Sequence, residues 1–174
     1  MREPPPGIEL RRAGTADQPA IFELVLAGIE SYREWAPRWS PGPPSPEQRE
    51  RVRGLYGDDE RAWVLLALAG GEPVGVVSLS VITGADARQP EPGTVYLWQM
   101  FVRPDWQGSG LAGALMDRVL DEARRRGYTR MVLWAAAGAA QARRFYEREG
   151  WSPTGEEDAD NAFGLPLIQY GRDL

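Results

Sequence analysis

The apolar positions of this chain change period several times, and each change marks an element. Ile8-Glu9-Leu10-Arg11-Arg12 alternates apolar and polar, the two-residue period of a half-buried strand. Ala20, Ile21, Leu24, Val25 and Ile29 recur at helical spacing behind the cap chemistry of Thr15-Ala16-Asp17, which predicts a helix over 16–31. Residues 32–46 read as a proline-rich loop carrying Trp35 and Trp39. Ser45-Pro46-Glu47-Gln48 places a cap before a proline at the first helical position, so a second helix should run to about Leu55. Apolar runs at 63–68 and 73–81 meet at Gly70-Gly71 and predict two strands joined by a turn. A polar connection over 83–93 leads to a strand over 94–102. Leu111, Leu115 and Val119, beside Ala112, Met116, Leu120 and Ala123, give the next helix a broad apolar face suited to lying on a sheet. Arg124-Arg125-Arg126 and Gly127 are a helix end. A buried-type strand at 131–134 and a short helix over 139–149 follow. The last two strands are expected at 151–152 and 165–171, with an acidic loop over 156–161 between them. Residues 1–7 are expected to form a loose tail, because prolines cannot join a ladder.

This order, β-α-α-β-β-β-α-β-α-β-β, has few βαβ crossovers and predicts a mixed α/β domain over 8–174 rather than a doubly wound one. A length of 174 residues suits one domain, and an apolar fraction of 43% with seven tryptophans suits a packed core. There is no cysteine, which excludes disulfides and thiolate nucleophiles. There is no histidine either, which removes histidine-based triads, most zinc sites and the usual general base. Acid–base chemistry then falls to carboxylates, tyrosine, the chain terminus, backbone or water, and no metal is expected. A net charge of −5 without a basic block argues against nucleic acid and suits a cationic or neutral partner. No stretch approaches the ~18 apolar residues of a membrane span. The first residues lack the apolar core of a signal peptide, so the cytoplasm is the expected location.

The most informative stretch is Val102-Arg103-Pro104-Asp105-Trp106-Gln107-Gly108-Ser109-Gly110-Leu111-Ala112-Gly113. A strand runs through a short turn into a glycine-rich loop that opens a helix. Helix N-termini carry backbone N–H groups without internal partners, and these together with the helix dipole suit a bound phosphate. By letter the loop fits the dinucleotide fingerprint G-x-G-x-x-G, but the repeated βαβ units of that fold and its acidic residue further on do not follow. It lacks the lysine of a P-loop. A plain tight turn is the remaining reading.

Gln107-Gly108-Ser109-Gly110-Leu111-Ala112 resembles the Gln/Arg-x-x-Gly-x-Gly/Ala motif of the GCN5-related N-acetyltransferases. Phe101-Val102-Arg103-Pro104 resembles the end of that family's fourth strand, and Ala142-Arg143-Arg144-Phe145-Tyr146-Glu147-Arg148-Glu149-Gly150-Trp151 its A-x-x-F-Y-E-x-x-G-F segment. The resemblance implies a mostly antiparallel central sheet splayed between strands 4 and 5 and flanked by helices. It also implies acetyl-CoA as cosubstrate, with direct transfer through a tetrahedral intermediate to a primary amine of a small molecule or peptide. The pyrophosphate would then sit on backbone N–H groups of Gln107, Gly108, Ser109, Gly110, Leu111 and Ala112. The pantetheine arm would pair with the backbone of Phe101 and Val102, one of whose N–H groups would stabilise the oxyanion. Arg103, Arg143 and Arg144 are the candidates for the outer phosphate.

Tyr146 matches the tyrosine that protonates the leaving thiolate in the family, and a phenol of pKa near 10 is well matched to a thiol. Relatives with a glutamate base carry it on the fourth or fifth strand; neither stretch holds a carboxylate here. A water relay held by Gln99, Tyr96 or a backbone carbonyl is the expected substitute, with Glu30, Glu34 and Glu91 as loop alternatives. Ala139 stands where the family often has a cofactor-binding asparagine, and Gln141 is the candidate to compensate. By analogy, 29–39 and 83–93 line the acceptor pocket, with Tyr32, Trp35 and Trp39 as an aromatic wall and Asp158 and Asp160 as attractors of a cationic amine. Homodimers are common in the family, though no interface is visible in this sequence. The rival readings are a noncatalytic acyl-CoA-binding or sensing module and a dinucleotide-dependent oxidoreductase.

Overall fold

The run Ala62–Ala69 is apolar at every position because it forms a strand covered on both faces. It is β2 of a seven-stranded sheet in the computed structural model, which describes residues 1–38, 46–56, 60–81, 90–159 and 164–174. The other strands are β1 (Ile8–Arg12), β3 (Glu72–Ser80), β4 (Thr94–Val102), β5 (Arg130–Ala136), β6 (Ser152–Asp158) and β7 (Leu167–Asp173). The helices are α1 (Gln18–Glu30), α2 (Pro46–Tyr56), α3 (Leu111–Arg125) and α4 (Ala140–Arg148). The strands lie in the order β1-β2-β3-β4-β5-β7-β6, antiparallel throughout except for the β4–β5 pair.

Helices cover both faces of the sheet. On one face the apolar stripes of α3 predicted from spacing are buried except at Ala112, which is half-buried: Leu111, Leu115, Met116, Val119, Leu120 and Ala123 pack with Leu65, Val77, Leu79, Val95, Leu97, Met131 and Leu133. Phe145 and Tyr146 of α4 join that cluster. On the other face Ile21 and Leu24 of α1 and Tyr56 of α2 pack with Val64, Leu66 and Val76. Full burial of one such leucine contributes roughly 1.5–3 kcal/mol, so these two layers dominate the stability of the fold.

The predicted boundaries hold to within two residues, the last strand running over 167–173 rather than 165–171, apart from the following corrections. The helix expected from 16 opens as a 3-10 turn over Thr15–Asp17 and becomes α-helical only at Gln18. The Asp17 carboxylate accepts the Gly14 N–H at 2.9 Å and pairs with Arg11, which holds that turn. The helix expected from 139 begins one residue later, because Ala139 is its N-cap with φ −77° and ψ 66°. The acidic loop expected from 156 is in part strand: Glu157 and Asp158 pair with Ile168 and Leu167 of β7. β6 is an edge strand with most of its residues exposed, so no apolar alternation marks it and its charges blunt a free edge.

Two features outside the sheet bear on the chain's N-terminal segment and on its environment. Arg2 bridges α3 and the residue that caps the end of α4, its guanidinium pairing with Asp117 at 2.7 Å and Glu149 at 2.6 Å. Among the described residues no helix is long and apolar enough to cross a membrane, and no group of three or more acidic side chains is arranged to hold a metal ion.

Candidate active site

β4 and β5 run side by side only at Thr94–Arg130, Val95–Met131 and Tyr96–Val132. Beyond Tyr96 the strands diverge: β4 stays paired with β3 as far as Val102, while β5 stays paired with β7 as far as Ala136. The result is a fork whose β4 side, from Leu97 to Val102, has no neighbouring strand on the β5 side. Such an edge offers backbone groups to an added extended ligand. The start of the fork coincides with a bulge. Ser78 faces Gln99 and Leu79 faces Leu97, so Trp98 is an extra residue on β4. A bulge bends its strand and increases local twist, which accounts for the divergence there.

The side chains along β4 sort by face. Leu97, Met100 and Val102 belong to the α3 layer, whereas Trp98 and Phe101 pack in the α1 layer. The Phe101 ring lies against Gly28 of α1, where any Cβ would stand 2.3 Å from it. Phe101 and Val102 therefore present backbone, not side chain, to the fork. Tyr96 is buried at the fork's crotch, 4% exposed, opposite Ser80. Gln99 accepts a hydrogen bond at Oε1 from the Tyr56 hydroxyl at 2.9 Å. Tyr56 escaped the sequence reading because nothing in the pattern of α2 distinguishes it from a core aromatic.

At the mouth of the fork β4 turns through Pro104–Trp106 into the glycine loop and α3. Gly108 and Gly110 hold φ of 77° and 90°, the left-handed region that favours glycine, and a Cβ on either would enter open space. Of the six N–H groups proposed from sequence, three are used internally. Gln107 N–H donates to Pro104, Ser109 N–H to Trp106 at 3.4 Å, and Leu111 N–H to Ser109 Oγ at 3.3 Å. The N–H groups of Gly108, Gly110 and Ala112 have no partner among the described residues. Gly113, which the motif comparison passed over, adds a fourth; the first intrahelical bond at this end is Ala114 N–H to Gly110 O at 3.1 Å. The Leu111 side chain is fully buried and anchors the helix to the core. Four unpaired donors at the positive end of a 15-residue helix form an anion cradle.

The opposite side of the mouth is built by the β5–α4 junction. Gln141 Nε2 donates to Gln107 Oε1 at 3.0 Å, joining α4 to the glycine loop across the mouth. Ala139, 7% exposed, contributes no polar side-chain atom and packs with Trp35 and Tyr32. Tyr146 on α4 stacks edge-on to Phe145 and Trp151, with centroids 5.6 and 6.1 Å away, and lies 6.3 Å from the Tyr170 ring. Its hydroxyl has no hydrogen-bond partner among the described residues. Burial, and secondarily the neighbouring Tyr32, hold the Tyr146 phenol above its ordinary value. Tyr32 itself is raised by burial. Tyr32 and Trp35 meet at 5.0 Å between centroids. The Trp35 ring lies so close on Gly138 that a Cβ there would stand 2.2 Å from it. Tyr32, Trp35, Ala139 and Tyr146 are thus neighbours, although more than a hundred residues separate the two pairs in the chain.

Other candidates are engaged elsewhere. Arg103 pairs with Asp105 at 2.7 Å, and Arg143 donates to the Tyr170 hydroxyl and to the Ala137 carbonyl, each at 3.0 Å. The Tyr170 hydroxyl donates on to Glu147, an anchor for α4 that the sequence reading missed because Tyr170 sits in an unremarkable strand. Arg144 is exposed. Glu30 pairs with Arg33 at the surface, and Glu34 and Glu91 are exposed. Asp158 lies in β6. Trp39, Asp160 and residues 83–89 of the expected acceptor loop lie outside the described residues.

Comparison with known proteins adds an independent line. Residues 29–151 match the model of the acetyltransferase (GNAT) family. An uncharacterized N-acetyltransferase of Archaeoglobus fulgidus is 30% identical over 142 residues, 80% of this chain and 89% of that protein. Mycothiol acetyltransferase of Beutenbergia cavernae is 41% identical over 64 residues, 37% of this chain. This chain spans only 22% of the length of that protein, and 53% of an uncharacterized N-acetyltransferase of Methanocaldococcus jannaschii. Among solved structures, ribosomal-protein-alanine N-acetyltransferase from Brucella melitensis superposes with a TM-score of 0.72 at 22% identity, covering 95% of this chain and 99% of that one. The PaiA N-acetyltransferase of Thermoplasma acidophilum, solved with coenzyme A, superposes with a TM-score of 0.66 at 16% identity, covering 96% and 99%.

Proposed function

Because the chain belongs to the acetyltransferase (GNAT) family, we propose that it moves an acetyl group from acetyl-CoA to a primary amine of a small molecule or peptide, as a cytoplasmic enzyme. The observation that carries this reading is the cradle of free N–H groups at Gly108, Gly110, Ala112 and Gly113 at the mouth of the β4–β5 fork. The cradle takes the pyrophosphate, and the open edge of β4 takes the extended pantetheine arm as an added strand. Neither contact needs a side chain. Alanine at position 139 and the engagement of Arg103 and Arg143 with protein partners therefore leave the donor site intact.

In this reading the acceptor enters from the α1 side, where Tyr32 and Trp35 form an apolar wall. The neutral amine attacks the thioester carbonyl; a C–N bond forms and the C–S bond breaks. A backbone N–H of Phe101 or Val102 stabilises the oxyanion, and Tyr146 donates its phenolic proton to the leaving sulfur. The raised phenol stays protonated throughout the neutral range, so Tyr146 serves only as a donor and is a weaker acid than a solvated tyrosine. The amine's own proton leaves through water ordered by Gln99 or Tyr96. Holding the two substrates in one fork makes the step effectively unimolecular.

The test is calorimetric titration with acetyl-CoA, CoA and NADPH, followed by thiol release against a panel of amines. Acetyl-CoA binding with release on one amine supports the transferase. Binding without release on any amine favours a noncatalytic acyl-CoA-binding module. Binding of NADPH alone, or of no nucleotide, overturns the assignment of the cradle.

A further inference from the structure

Two buried polar side-chain atoms have no partner among the described residues: Trp151 Nε1 and Ser78 Oγ. The second lies beside the fork. Ser78 is the register partner of Gln99, and directly opposed residues of an antiparallel pair share a face. A carboxamide turned toward Ser78 would satisfy that hydroxyl. Gln99 instead places Oε1 2.9 Å from the Tyr56 hydroxyl, and Ser78, wholly buried, goes without. A buried hydroxyl left unpaired forfeits its hydration with no hydrogen bond in return. Local rules are broken in this way where function requires it.

Tyr56 is built to hold this orientation. It is the last residue of α2, 6% exposed, and its ring is set edge-on to Trp98 at 6.2 Å. Trp98 is the bulged residue, and the bulge is what turns Trp98 and Gln99 to the same α1-side face between Leu97 and Met100. Burial pushes the Tyr56 phenol up to about 12, so it is a hydrogen-bond donor at every physiological pH. Its O–H takes one lone pair of Gln99 Oε1. The second lone pair and the Nε2 hydrogens have no partner among the described residues, and Gln99 is partly exposed.

We propose that Tyr56 is a positioning residue, which by its hydrogen bond to Oε1 fixes the Gln99 carboxamide so that its free lone pair and N–H groups orient the acceptor amine on the α1 side of the fork. The inference rests on the transferase reading above. A carboxamide cannot take the amine's proton, so the role is orientation, and its loss falls on acceptor kinetics rather than on coenzyme binding.

The experiment compares wild type, Tyr56→Phe, Gln99→Leu and the double variant, with tyramine and an alanyl dipeptide amide as acceptor probes. Acetyl-CoA affinity is measured alongside by calorimetry. The expected result is a roughly tenfold fall in kcat/KM for the better probe in each single variant, no further fall in the double variant, and acetyl-CoA affinity within about twofold of wild type. Acceptor kinetics of a folded Tyr56→Phe equal to wild type overturn the inference, as do losses that multiply in the double variant. If Tyr56→Phe does not fold, Gln99→Asn withdraws the carboxamide from the phenol with α2 untouched, and wild-type acceptor kinetics in that variant overturn the inference equally. Absence of thiol release by the wild type on both probes and on every amine of the panel overturns the transferase reading, and this one with it.

Discussion

Gly110 and Gly127 lie at opposite ends of α3, about 25 Å apart by helical rise. They share the same backbone strain, with φ of 90° and 83°, and at neither would a Cβ meet an atom within 4 Å. An L-residue in the left-handed region loses about 1–2 kcal/mol, partly offset by about 0.4–1 kcal/mol from a less flexible unfolded chain. Gly110→Ala and Gly127→Ala should therefore each destabilise by about 1 kcal/mol, a fall in Tm of about 2–4 °C for a domain of this size. Their binding should differ. The Gly110 N–H is unpaired and belongs to the cradle, so backbone adjustment that relieves the strained alanine would re-aim it, whereas the Gly127 N–H is bonded to Arg124 O at 2.9 Å. Losing one hydrogen bond to a charged group, about 1.5–3 kcal/mol, corresponds to roughly 10- to 150-fold in Kd. Calorimetric titration with CoA, beside thermal melts at the same ionic strength, separates the two effects. A folded Gly110→Ala that binds CoA within twofold of wild type would refute the cradle. Equal weakening by Gly127→Ala would show that strain in α3, not the position of the glycine, governs binding.

Tyr146→Phe should lower turnover by about 10²-fold, the lower end of general-acid effects, with CoA affinity unchanged; an unaltered rate in thiol-release assays removes Tyr146 as the donor. Asp117 is held down to about 2, first by the hydrogen bond from Arg2, so its contribution is complete above the unfolded carboxyl's value and is lost as pH falls from about 4 toward 2. Arg2 is half exposed, so Asp117→Asn should destabilise by only about 0.5–1 kcal/mol at pH 7. Urea melts at pH 7 and pH 2 should show that difference closing with acid, and a gap of equal size at both would refute the link. Gly138→Ala should push the Trp35 ring off the β5–α4 junction, destabilise by about 1–3 kcal/mol, and shift tryptophan emission to the red. An unshifted spectrum in a variant of wild-type Tm would show that the contact is slack.

Periodicity located α1, α3 and nearly all the strands, because the stripe of α3 and the continuous run of β2 are direct consequences of which faces are buried, while α2 was legible from its cap and Pro46. It misjudged β6, whose edge position removes the burial that writes a pattern. The glycine loop was legible as an anion site because backbone donors at a helix N-terminus depend only on local conformation. Which of those donors are free was not legible: it follows from the turn through Pro104–Trp106 and from Ser109 Oγ capturing the Leu111 N–H. Tyr146, Tyr32 and Trp35 were named from the sequence one by one, and only folding makes them neighbours. Tyr56, Ser78 and Tyr170 were not named at all, since each reads locally as an ordinary strand or helix residue. Local sequence dictates backbone conformation and facing, because both are set by neighbours in the chain. The partner of a buried hydroxyl or a carboxamide is set by strand register and by a bulge, and these exist only once β3, β4 and β5 have met.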